Sequence, residues 1–146
     1  MKPYMKFGEQ LQRNLVALIS VFIAVSSLSY NTWRNEKSEY NRNQRWASFE
    51  VLMHLGELRE TTFHLQWDAA TVEDSALRTG WVTVLTIKDL SEVLEAPLPA
   101  AAESLRSTWN DHSEGLGNPN KISSKAVLTE IDEMRDITLK MIQELD

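Results

Sequence analysis

The chain has 146 residues, of which 42% are hydrophobic and 25% are charged, with a formal net charge of -6 and no cysteine. This length suits one domain with a small core, and the lack of cysteine excludes disulfides, thiolate metal ligands and cysteine nucleophiles. The charge is uneven, because residues 1–13 sum to +2, residues 31–67 to 0 and residues 68–146 to -8. An acidic distal part without a basic stripe argues against binding to nucleic acid.

An apolar segment follows the short basic tail of residues 1–13. As a helix that rises about 1.5 Å per residue, about 20 residues of this segment span the roughly 30 Å hydrocarbon core of a bilayer. A basic tail, an apolar stretch and small residues after it also suit a cleaved signal peptide. However, helix-compatible residues continue without a break to Leu55, and Tyr30 and Trp33 lie where interfacial aromatic residues anchor a span. We therefore predict an uncleaved transmembrane signal anchor over residues 14–30, with the cleaved signal peptide as the alternative.

The positive charges around this span do not fix its orientation. Three Lys or Arg residues precede the span and four follow it closely, and the positive-inside rule needs an excess on one side. An amino-terminal anchor usually leaves its short basic tail in the cytoplasm. We therefore expect a single-pass protein of a bacterial inner membrane, with a cytoplasmic N-terminus and a periplasmic C-terminal domain.

Small side chains line one face of the predicted span, at Ala17, Ser20, Ala24 and Ser27. Membrane helices associate through close backbone approach over such residues, because lipid provides no hydrophobic driving force between them. The alternative is that Ala and Ser are simply common in membrane anchors. The association hypothesis predicts a homodimer or a polytopic membrane-protein partner, in addition to contact with the lipid bilayer.

The first helix is predicted to continue far beyond the membrane. Residues 31–45 are polar nearly all round and read as a stalk helix, which must be solvated or paired. From Trp46 onward, helical spacing of three and four residues places Val51, Leu55, Leu58, Thr62 and Leu65 on one stripe. We predict that Phe49, Leu52, Phe63 and Trp67 widen this stripe and that the helix ends near Trp67.

The middle of the chain alternates turn signals with amphipathic segments. Residues 68–80 are rich in small and acidic residues and read as a loop. Residues 81–87 contain β-branched side chains that suit a strand, but apolar residues continue at helical spacing through Leu94, which favours a helix. Pro97 and Pro99 end this helix and suit the start of the next one.

Two further helices complete the predicted domain. Apolar residues from Leu98 to Leu116 lie at helical spacing, and the breaker GLGNPN at 115–120 ends that helix. The last helix has a regular stripe from Val127 to Leu145, with Ser123 or Ser124 as its expected N-cap. Because helices with one-sided apolar stripes must bury them against each other, we predict an all-α fold. In it, a single N-terminal transmembrane helix continues into an acidic, antiparallel bundle of about four helices over residues 46–146.

One polar stripe merits attention as a candidate ligand or metal site. It consists of Glu50, His54, Glu57, Thr61, His64 and Asp68, spaced by three or four residues beside the apolar stripe. Histidine and carboxylate side chains one turn apart can share a proton or hold a metal ion. The alternative, which we favour, is the solvated boundary of an amphipathic helix, since no Glu-x-x-His pair of the di-metal bundle type occurs.

Other chemical signals are weak. The tryptophans at 46, 67, 81 and 109 could line a ligand-binding cavity if the bundle brings them together. The favoured interpretation is that they are core and interface residues. Phosphate-binding loops, Ser/His/Asp spacings and zinc-helix motifs are missing from the sequence. We therefore predict no catalysis, no resident metal and no cofactor.

The layout of a membrane helix running into a helical bundle resembles the extracytoplasmic sensing domains of bacterial chemoreceptors and histidine kinases. The resemblance is architectural and rests on no specific motif. The sequence departs from such receptors because it lacks a second span and a cytoplasmic output domain. Two functional hypotheses follow. The favoured one is a membrane-anchored accessory or scaffold protein that presents a bundle for protein–protein interaction, and the alternative is a sensor-like module that binds a small ligand or metal.

Overall fold

The computed structural model describes residues 14–67, 74–117, 119 and 121–145. All regular secondary structure in these residues is helical, which confirms the predicted all-α fold. The elements are α1 (Leu15–Trp67), α2 (Asp74–Ser91), α3 (Leu98–His112), a short 3-10 helix (Ser113–Gly115) and α4 (Ile122–Glu144). The chain divides into two compact units, Met1–Tyr40 and Asn41–Asp146, and α1 contributes residues to both.

Helix α1 is 53 residues long, as the unbroken run of helix-compatible residues predicts. Its buried side chains begin only at Gln44 and then follow the spacing expected for one core-facing stripe: Gln44, Ala47, Ser48, Val51, Leu55, Leu58, Thr62 and Leu65. The prediction that Phe49, Phe63 and Trp67 widen this stripe is wrong, because all three side chains are exposed. Only Leu52 is half-buried against the core.

Helix α2 begins earlier than its sequence suggests. Residues 75–80 were expected in a loop, but they form the first turns of the helix. Ala76 and Leu77 pack against the core, and Gly80 is buried beside Trp109. Tertiary packing therefore overrides the turn-like composition of this segment. Residues 81–87 are helical, as predicted.

The connection between α2 and α3 is held by proline chemistry and by one side chain of α1. Pro97 precedes α3 and a proline occupies its first turn, where a missing N–H group costs nothing. The Gln44 amide donates from Nε2 to the Val93 carbonyl at 2.9 Å, and its Oε1 accepts from the Glu95 amide at 3.3 Å. One buried side chain thus satisfies two backbone groups of the connection.

The predicted boundary between α3 and α4 is confirmed, but the predicted cap is not. Gly117 has a φ of 91°, which suits glycine, and α4 starts at Ile122 after Lys121 with a φ of 55°. No side chain caps this helix. Ser123 and Ser124 lie inside the first turn instead of before it, and the Ser124 hydroxyl donates to the Lys121 carbonyl at 3.1 Å.

Side chains from all four helices form one core in the second unit. Its largest fully buried members include Trp109, Leu55, Leu98, Ile131 and Met134. Ion pairing between Arg59 and Asp132, with a hydrogen bond from Arg45 to the Leu145 carbonyl, shows that α1 and α4 run antiparallel. The bundle is therefore antiparallel, as its short connections predict.

Candidate interaction surfaces

The N-terminal part of α1 is long and apolar enough to cross a membrane. None of the 18 residues in its most apolar stretch is buried, and its large side chains from Leu15 to Leu28 are 49–76% exposed. In water such exposure is unfavourable, because the transfer of apolar surface out of water is favourable by about 25 cal/mol per Å². Length and composition thus fit a bilayer span.

The four small residues predicted to form a packing face are all helical and exposed. Ala17, Ser20, Ala24 and Ser27 lie at spacings of three and four residues, so they share one side of α1. The Ser20 hydroxyl donates to the Val16 carbonyl at 2.8 Å, which satisfies this polar group within its own helix. Because the Ser20 hydroxyl is already hydrogen-bonded, this face of small side chains can pack against another helix without burying an unpaired hydroxyl at Ser20.

Tyr30 and Trp33 form an exposed aromatic pair at the end of the apolar segment. Their ring centroids are 6.1 Å apart with the planes tilted by 41°, and each side chain is 59% exposed. Amphipathic rings at this position match the aromatic belts found at membrane–water interfaces. Their role as interfacial anchors stays a prediction.

The polar stripe of α1 forms separate pairs. His54 Nδ1 lies 2.8 Å from Glu57 Oε2, and His64 Nε2 lies 3.6 Å from Oε1 of Glu60, a residue that the sequence analysis did not include. Among the described residues, no group of three or more His, Asp or Glu side chains is arranged to hold a metal ion. Asp68 lies outside the described residues. The geometry seen here is that of polar contacts one turn apart on the surface of a single helix.

Two surface ion pairs, one at the end of α2 and one on α3, shift the pKa values of their side chains. Lys88 donates to Glu92 at 2.9 Å, and this hydrogen bond raises the pKa of the lysine. Arg106 donates to Glu103 from Nη2 at 2.6 Å, which lowers the pKa of that carboxyl and raises the pKa of the guanidinium. Both pairs join exposed side chains three or four residues apart, so they mark solvated surfaces of the bundle.

The tryptophans do not gather into one cavity. Trp109 is fully buried in the core and its Nε1 has no hydrogen-bond partner, whereas Trp81 is half-buried. Trp46 and Trp67 are 62% and 65% exposed. The four rings therefore have different environments, and the hypothesis of a tryptophan-lined ligand site is not supported by their burial.

A cleft lies where the α2–α3 connection meets the last turns of α4. Its lining includes Glu95, Pro97, Lys140 and Met141. Small-molecule sites are mostly apolar and enclose most of their ligand. This cleft is open to solvent and has charged residues in its lining, so the small-ligand hypothesis gains no support from it.

Sequence analysis missed an exposed apolar surface on α1, which we name the outward stripe. It consists of Trp46, Phe49, Met53, Phe63 and Trp67, whose side chains are 37–65% exposed. The Phe63 and Trp67 rings are 5.3 Å apart, and the Lys121 ammonium lies 5.4 Å from the Trp67 ring centroid. The signal was present in the sequence as a second set of three- and four-residue spacings, on the side opposite to the buried one.

Comparison of this chain with protein-family models, curated proteins and solved structures finds no match. The candidate surfaces are therefore defined by the residues and geometry of the chain itself.

Proposed function

We propose that this protein is a single-pass membrane protein that acts as an accessory or scaffold subunit and presents its helical bundle for protein–protein interaction, without catalysis. The observation that carries the proposal is that no residue in the apolar start of α1 is buried, although the helical bundle has its own core. An apolar helix of this length is stable in a bilayer, since its backbone hydrogen bonds are satisfied internally.

The proposed topology is a cytoplasmic N-terminus with the bundle in the periplasm of a bacterial cell. The exposed pair Tyr30 and Trp33 supports an interface at the distal end of the span. The small face of Ala17, Ser20, Ala24 and Ser27 supports docking against another membrane helix, because small side chains permit close backbone approach.

The first test concerns the membrane and the topology. In alkaline carbonate extraction of native membranes, the full-length protein is expected to stay in the membrane fraction. Since the chain has no cysteine, a single Ser104→Cys substitution on α3 reports which side the bundle occupies. Labelling of intact spheroplasts by a membrane-impermeant maleimide is expected. Release by carbonate would refute the anchor, and labelling only after lysis would refute the orientation.

The second test concerns the partner. The full-length protein is purified by affinity from native membranes in mild detergent, and co-purifying proteins are quantified by mass spectrometry. Ala24→Leu fills the small face and is expected to reduce recovery of a stoichiometric membrane partner at least five-fold. Val25→Leu enlarges a neighbouring side chain off this face and serves as the matched control. Equal recovery with both variants would show that the small face does not bind the partner.

A further inference from the structure

Between residues 44 and 67, α1 carries two lines of residues with the same spacing on opposite sides. The buried line passes through Gln44, Ser48, Val51, Leu55, Leu58, Thr62 and Leu65, and the bundle covers it. The other passes through the outward stripe, with Gly56 and Glu60 at its two middle positions. Alternating steps of three and four residues are the heptad spacing that keeps one seam facing a partner helix. The second line therefore has the pattern of a helix-packing seam, and it lies on the surface.

The apolar area of the outward stripe approaches what a stable interface needs. Its five large side chains are exposed by 62%, 54%, 60%, 37% and 65% in chain order. With about 150–250 Å² per aromatic side chain, they expose on the order of 500 Å² per copy, compared with about 800 Å² that each partner buries in a standard interface. Flanking polar residues can supply the remainder, since interfaces have a polar rim.

Gly56, at the middle of the line, is not needed by the bundle itself. A Cβ atom added there would meet nothing within 4 Å, and glycine in a helix interior costs about 1 kcal/mol relative to alanine. A missing side chain does, however, leave room for a side chain of a second helix. In a parallel, in-register pair, the hole that receives Glu60 is bordered by Gly56 and Arg59 of the second copy. This hole therefore offers space to the Glu60 side chain.

The charges that flank the line make it complementary to itself in one orientation. Glu50 and Glu57 lie on one flank, and Arg45 and Arg59 lie on the other. In a parallel, in-register pair Arg45 faces Glu50 of the second helix, so that base meets acid, whereas an antiparallel pair brings like charges together. Within each copy, Arg45 donates to the Leu145 carbonyl just after α4 and Arg59 pairs with Asp132 of α4, which holds both side chains on their flank.

We propose that the protein forms a parallel, in-register homodimer through the outward stripe of α1. The inference rests on the proposed function, because it names a second copy of this chain as one partner of the interaction surface. Burial of the aromatic side chains supplies the affinity, and the pairing of Arg45 with Glu50 of the second copy favours the parallel orientation.

Single cysteines in the full-length, otherwise cysteine-free chain test the dimer in membrane vesicles. Same-position residues of the seam face each other in a parallel pair, so Met53→Cys and Glu60→Cys are expected to form disulfide-linked dimers under mild oxidation. The expected rate is at least ten times that of Ser104→Cys on exposed α3. Rates equal to this control would overturn the proposal, and cross-linking at neither position combined with a dimeric native mass would overturn the parallel register.

A charge placed on the stripe separates this interface from association through the membrane span. Phe49→Glu, in the Met53→Cys background, is expected to lower the cross-linking rate at least five-fold, because it buries a carboxylate in the apolar seam. Val82→Glu, on an exposed site of α2, is the control, and circular dichroism checks that both variants are folded. Should Phe49→Glu unfold the bundle, Met53→Lys is judged instead by native mass. An unchanged rate, or an unchanged dimer, would overturn the proposal.

Failure of this inference differs from failure of the proposed function. A monomeric chain that still recovers a stoichiometric membrane partner retains the accessory role and loses the outward-stripe dimer. A chain that dimerises through the stripe but stays in the soluble fraction after carbonate extraction retains the dimer and loses the membrane-anchored role.

Discussion

Gly80 on α2 permits the closest approach between α2 and the core tryptophan of α3, and its replacement should destabilise the bundle. A Cβ at this position would clash with Cζ2 of Trp109 and lie 2.5 Å from Cη2. Trp109 is fully buried, so its ring has no open side to move into. The clash is thus expected near the upper end of the overpacking range of about 1–3 kcal/mol, and the better helix propensity of alanine returns only about 1 kcal/mol.

The net expectation for Gly80→Ala is a loss of about 2 kcal/mol in the free energy of unfolding, or roughly 10 °C in Tm for a unit of this size. Thermal unfolding of the full-length protein in detergent, followed by circular dichroism under conditions where the chain is monomeric, measures the change. Gly56→Ala is the matched control: the position is exposed and open, so the substitution should raise stability by about 0.5–1 kcal/mol.

A double-mutant cycle tests the contact itself. Trp109→Phe removes the benzo ring atoms that the new Cβ would meet, so Gly80→Ala should cost less in that background, with a coupling of at least about 1 kcal/mol. If Gly80→Ala raises Tm as Gly56→Ala does, or if the two substitutions are additive, the close approach of α2 to Trp109 is refuted.

Three further substitutions test particular groups. Gln44→Ala should lower the free energy of unfolding by about 1–3 kcal/mol in chemical denaturation, because it leaves the Val93 carbonyl without its donor. Ser48→Ala should be neutral or slightly stabilising in the same assay, since the buried hydroxyl has no hydrogen-bond partner. Arg106→Gln should raise the pKa of Glu103 towards its ordinary value in an NMR titration, because the guanidinium bond lowers it. Stability from this pair is present above the unfolded-state pKa of the carboxyl and is lost as pH falls through the folded-state pKa. The difference between the parent and this variant should therefore shrink in acid, and a difference that grows would contradict the assignment.

Local patterns in the sequence predict much of the fold. The run from Leu15 to Trp67 contains no proline and only one glycine, and its buried residues from Val51 to Leu65 follow the helical period, so the length of α1 was predictable. Proline and glycine chemistry likewise marked the boundaries of α3. These features depend on propensity and backbone sterics, which act over a few residues.

The candidate surfaces were only partly predictable. The small-residue face of the apolar segment and the pair of His54 with Glu57 follow from spacing alone. Which of two apolar sides of α1 faces the bundle does not follow from spacing, because Phe49 and Trp67 have the same hydrophobicity whether they are buried or exposed. The side is decided by which residues the other three helices cover.

The sequence by itself determined the helical class, the apolar N-terminal segment, the number of helices and the breaks on either side of α3, because periodicity and turn chemistry are local. Tertiary structure alone decided that residues 75–80 extend α2 and that Gly80 lies against Trp109. It also decided that the outward stripe is exposed. Each of these depends on contacts between residues far apart in the chain, and packing free energy summed over such contacts outweighs the small local preference of any one residue.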